Sequence, residues 1–114
     1  MVTVYEKRTC TKCRQLVALL AAQGVDFERI EFHVEGLTAE EVRELVRKAG
    51  IPARELLRRK EPVFKELGLA DRELSDDEVI ALIAEHPELL ERPVVVRGDR
   101  AVVARPTERV LELL

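Results

Sequence analysis

The sequence predicts an α/β fold: one four-stranded mixed sheet, with a helical insertion between a βαβ half and a ββα half. Three observations carry that prediction. A β-branched apolar run at the N-terminus is followed at once by a helical pattern and then by a second strand-like run. The middle of the chain carries helix caps and helical periodicity without strand patterning. Near the C-terminus, two apolar runs flank a Gly turn and a short amphipathic tail follows.

Taken in order, Val2-Thr3-Val4-Tyr5 reads as a buried strand. From Cys13 the apolar residues Leu16, Val17, Leu20 and Ala21 fall at helical spacing, and Gly24 stops the helix. Asp26 to Phe32 alternates imperfectly, with Phe27, Ile30 and Phe32 apolar, and reads as a second strand parallel to the first through a right-handed crossover. Thr38-Ala39-Glu40-Glu41 is a capping box opening a helix whose face is Val42, Leu45, Val46 and Ala49, ended by Gly50. Two shorter helical turns, 54–59 and 62–67, are broken at Glu61-Pro62. Ser75-Asp76-Asp77-Glu78 opens another helix, which His86-Pro87 closes; His86 reads as a structural terminus. Val94-Val95-Val96 and Ala101-Val102-Val103 form a hairpin around Gly98, and Pro106 starts a final helix burying Val110, Leu111 and Leu114.

With 114 residues, the chain is long enough to build one domain, residues 1–114, around a single core. Apolar residues make up 46% and charged residues 36%, which excludes a disordered chain. A net charge of −3 gives no reason to expect nucleic acid as a partner. No apolar run reaches the roughly 18 residues of a membrane span, and Glu6 interrupts the only N-terminal candidate for a leader. The expected setting is cytoplasmic, with no membrane partner, where a structural disulfide is not expected. His33 and His86 lie far from both cysteines in sequence, so no metal site is expected.

Both cysteines lie in the stretch joining the first strand to the first helix, spaced Cys-x-x-Cys. A Cys-x-x-Cys beside a βαβ pattern is the sequence sign of a thioredoxin-like fold. Unpaired N–H groups and the positive dipole end at a helix start favour a thiolate, where an ordinary Cys is only about 3% ionised at neutral pH. Cys10 is the candidate nucleophile, with Lys7, Arg8, Lys12 and Arg14 around it and Glu6 as the nearby negative charge. Cys13, one turn on, is either a resolving thiol or a small packed residue.

The segments Val4-Tyr5 to Cys10, Glu55-Leu56-Leu57-Arg58, Leu67-Gly68-Leu69-Ala70, Glu85-His86-Pro87, Arg92-Pro93-Val94-Val95-Val96 and Ala104-Arg105-Pro106 run in order along the chain. Together they resemble the glutaredoxin-dependent arsenate reductase family. The resemblance implies that Cys10 attacks a small oxyanion held by Arg58, Arg92 and Arg105, whose guanidinium forks suit such oxygens. Arg59 and Lys60 adjoin Arg58 and are alternatives to it. It further implies a cis bond before Pro93, no bound cofactor, and glutathione with glutaredoxin as the external reductant. Two positions depart from the family pattern: Glu6 and Lys7-Arg8 replace a His and an Asn-Pro pair, and Cys13 replaces a Ser. Glu6 is expected to raise a neighbouring thiol, partly offsetting the basic residues. The Cys-x-x-Cys also resembles Spx-type regulators, which implies the alternative of a redox-switched protein contacting RNA polymerase.

Overall fold

The computed structural model describes residues 2–7 and 9–114. Strand β1 (Val2–Glu6) leads into helix α1 (Thr11–Ala22), and strand β2 (Phe27–Glu31) returns parallel to β1. Strands β3 (Val94–Arg97) and β4 (Arg100–Val103) form the hairpin, with Gly98 at φ 60° in its turn. β3 pairs antiparallel with β1, giving the sheet order β2-β1-β3-β4. The expected mixed, four-stranded sheet is therefore present, with β1 and β3 at its centre.

Alternation decides what each sheet face meets. Val2, Val4 and Glu6 share one face of β1, and the two valines pack with Leu16 and Leu20 of α1 and Val110 and Leu113 of the C-terminal tail. The opposite face carries Tyr5, Val94 and Val96 into a larger cluster with the insertion helices. Those are α2 (Phe32–Glu35), α3 (Ala39–Ala49), α4 (Pro62–Glu66) and α5 (Asp76–Glu85). Both capping boxes close: Thr38 Oγ1 accepts from the Glu41 N–H at 3.1 Å, and Ser75 Oγ from the Glu78 N–H at 3.2 Å. Gly50 ends α3 at φ 64°, the left-handed conformation that favours glycine.

Three boundaries differ from the sequence reading. Phe32 leaves the edge strand and starts α2, where its fully buried ring joins the larger cluster. The turn expected over 54–59 is a 3-10 segment, Ala53–Leu56. The final helix is also 3-10, Thr107–Leu113, with Pro106 before it. At three residues per turn its inner face is Thr107, Val110 and Leu113, which leaves Leu111 and Leu114 exposed.

Candidate active site

Cys10 stands where β1 has ended and α1 has yet to begin. Its N–H donates to the Lys7 carbonyl at 2.9 Å, closing a tight turn, and its own carbonyl accepts from the Arg14 N–H at 3.1 Å. The residue is extended, at φ −79° and ψ 124°, in the N-cap position of α1. That leaves its half-buried sulfur beside the first-turn N–H groups, although none closes to a conventional cap hydrogen bond. Cys13, one turn on, is fully buried beneath it, and both thiols are free.

Three distant segments bring arginines to this sulfur. Cys10, Arg58, Arg92 and Arg105 line one cavity of about 310 Å³, together with Lys7, Thr9, Thr11 and Lys12. Arg58 arrives through an isolated antiparallel bridge between Leu57 and Leu90, in which its N–H donates to the Leu89 carbonyl at 2.7 Å. Arg92 and Arg105 each precede a cis proline bond, to Pro93 and Pro106. Arg105 Nε donates to the Arg92 carbonyl at 2.7 Å, and its Nη2 lies 4.0 Å from Cys10 Sγ. Arg14 is exposed and does not line the cavity, and Arg59 lines a neighbouring cleft instead. Arg8 lies outside the described residues.

Two carboxylates that sequence reasoning missed hold the arginines in place. Glu61 Oε1 accepts from Arg58 Nε at 3.2 Å and from Arg92 Nη2 at 3.0 Å. Glu91 Oε1 accepts from Arg58 Nη1 at 3.2 Å and from the Arg92 N–H at 3.2 Å, and it lies 3.4 Å from Arg105 Nε. Arg92 is 4% exposed, and its buried Nε has no acceptor among the described residues. The signal for Glu61 was its i, i+3 spacing from Arg58, overshadowed by its place before Pro62.

The two thiols are driven apart. Burial alone would raise Cys10, but the Cys13 N–H and S–H, the Lys12 N–H and the Arg92 charge outweigh it and leave the thiol below its ordinary value. Cys13 is pushed up to about 12, first by burial and then by Cys10 and the Glu6 charge, against the pull of the Lys7 N–H. The expected effect of Glu6 on a neighbouring thiol thus falls on Cys13. Glu6 is wholly buried on the α1 side of β1, paired with Arg29 Nε, and its charge falls on Cys13. The arrangement supplies a stabilised thiolate, a cationic cradle for an anion, and a protonated second thiol behind the first.

The chain matches known proteins over nearly its whole length. Residues 5–113 match the ArsC family. The chain belongs to the ArsC family. An arsenate reductase of Haemophilus influenzae is 36% identical over 115 residues, covering 99% of this chain and 98% of the relative. YfgD of Escherichia coli strain K12, an uncharacterized protein, is 39% identical and covers 99% and 96%. The solved structure of an arsenate reductase from Vibrio cholerae superposes with a TM-score of 0.93 at 41% identity, covering 99% of this chain and 97% of that one. The ArsC fold is thus the thioredoxin-like architecture expected from the sequence, with the long helical insertion delivering Arg58. No helix among the described residues is long and apolar enough to cross a membrane.

Proposed function

We propose that this ArsC-family oxidoreductase reduces arsenate to arsenite. The observation that carries the reading is the single cavity shared by the Cys10 thiolate and the guanidinium groups of Arg58, Arg92 and Arg105. Arsenate enters as an anion bound by these forks, and the Cys10 sulfur attacks arsenic. An S–As bond forms and an oxygen leaves as water after taking a proton. Cys13 then attacks the Cys10 sulfur. The S–As electron pair departs with arsenic, which is reduced from As(V) to As(III), and a Cys10–Cys13 disulfide forms. External glutathione and glutaredoxin return the pair to the dithiol. The relatives named arsenate reductase favour this reading over a redox-switched contact with RNA polymerase.

The test is arsenate-dependent NADPH consumption by purified protein coupled to glutathione, glutathione reductase and glutaredoxin. Wild-type protein turns over and Cys10→Ser does not. Absence of turnover in wild type, or its survival in the Cys10→Ser protein, rejects the assignment.

A further inference from the structure

The mechanism above leaves one buried ionisable group without a task. Glu6 is fully buried, its Oε1 paired with Arg29 Nε, while its Oε2 has no hydrogen-bond partner among the described residues. A buried carboxylate oxygen with no donor is costly, and native structures hold few of them.

The topology places that oxygen's residue opposite the second thiol. Val2, Val4 and Glu6 occupy one face of β1, and Cys13, Leu16 and Leu20 occupy the buried face of α1. The helix returns against the direction of the strand, and the valines of β1 pack on Leu16 and Leu20. The last residue on the strand face therefore meets the first on the helix face, which pairs Glu6 with Cys13. Both are fully buried. The Lys7 N–H, next in the chain after Glu6, lies against the Cys13 sulfur and fixes the same register.

We propose that Glu6 is the proton acceptor for Cys13 when Cys13 attacks the sulfur of a Cys10 adduct. The inference rests on the resolving role given to Cys13 above. A buried thiol pushed up to about 12 holds almost no thiolate at neutral pH, so its attack needs a base at hand. In the step, the Cys13 S–H bond breaks and its proton passes to Glu6 Oε2. The sulfur forms the S–S bond to Cys10, and the bond from Cys10 to the departing group breaks with its electron pair going to that group. The titratable and charged groups on the face of Glu6 include Arg29 and the register partner of Glu6, Glu31, from β2 and the Cys13 thiol from α1, with Cys10 beyond it. Arg29 pairs with Oε1 and leaves Oε2 free to take the proton.

The test needs no arsenate. Dithiobis(nitrobenzoate) reacts with the Cys10 thiolate, releasing one coloured thiolate and leaving a Cys10 mixed disulfide. Attack by Cys13 then releases the second, and stopped-flow absorbance times that phase. Glu6→Gln should slow the second phase about a hundredfold at neutral pH, the scale of one general base. Its rate should then climb about tenfold per pH unit, as direct thiolate attack requires, while the wild-type rate rises less steeply. Arg29→Gln removes the same ion pair but keeps the carboxylate, so its second phase should stay faster than that of Glu6→Gln. A purely structural role for the pair predicts that both variants slow the phase equally. A second phase in Glu6→Gln with wild-type rate and pH slope overturns the proposal and leaves the resolving role standing. Absence of a second phase in wild type, or its persistence in Cys13→Ser, overturns the resolving role and the proposal together.

Discussion

Arg105 Nη2 lies 4.0 Å from the Cys10 sulfur, on a guanidinium whose Nε is anchored to the Arg92 carbonyl at 2.7 Å. The backbone of one site arginine thus orients the side chain of another. The thiol and its cradle behave as one electrostatic unit, and substitutions in the cradle should register at the sulfur before any substrate is present.

Arg92→Gln should raise the Cys10 pKa, because the Arg92 charge is one of the influences holding it down. The pH profile of iodoacetamide alkylation at Cys10, followed by peptide mass spectrometry, should move to higher pH. A profile that coincides with wild type would show that the guanidinium does not act on the thiolate.

Glu61→Gln should cost about tenfold in kcat/KM for arsenate, about 1.4 kcal/mol of transition-state stabilisation. The carboxylate touches two of the three arginines, so its loss disorders Arg58 and Arg92 together. Competitive inhibition by phosphate should weaken in parallel. Unchanged inhibition would separate Glu61 from the positioning of the cradle.

The raised Cys13 thiol makes stability fall at alkaline pH. A group protonated in the folded state and ionised in the unfolded one contributes stability below its unfolded pKa and loses it as pH rises toward the folded value. For Cys13 that window runs from its ordinary value of 9.0 to about 12. Urea midpoints measured upward from neutral pH should fall more steeply in wild type than in Cys13→Ser, and equal slopes would contradict the assignment.

Thr38→Ala should lower unfolding free energy by about 1 kcal/mol, the usual value of a lost N-cap. The capping box at the start of α3 is complete, with both reciprocal bonds formed. Equilibrium urea unfolding reads the change directly, and a difference near zero would mean that tertiary packing alone fixes that helix start.

Periodicity made most of the architecture legible. Val2-Thr3-Val4-Tyr5, the hairpin around Gly98 and the two capping boxes are local signals, and each element formed where its residues pointed. The tail was misread because Val110, Leu111 and Leu114 suit an α-helix while the chain runs as a 3-10 segment, and its Val110–Leu113 face packs under β1 and β3. At the site, Cys10 and the three arginines were found from ordered segments, and the cavity contains all four. Glu91 was not legible, since the bridge between Leu57 and Leu90 that brings it to Arg58 has no local signature, and the i, i+3 spacing of Glu61 from Arg58 was overshadowed by Pro62. Glu6 is legible as a charge beside a thiol, and the thiol it acts on is Cys13. Strict alternation through Val2 and Val4 already placed it on the face that α1 covers.

The three arginines lie 48, 82 and 95 positions after Cys10, and each reaches the sulfur only through packing made by its own segment. The Arg92 charge that helps hold the thiol down therefore acts only once segments 82 residues apart have packed together.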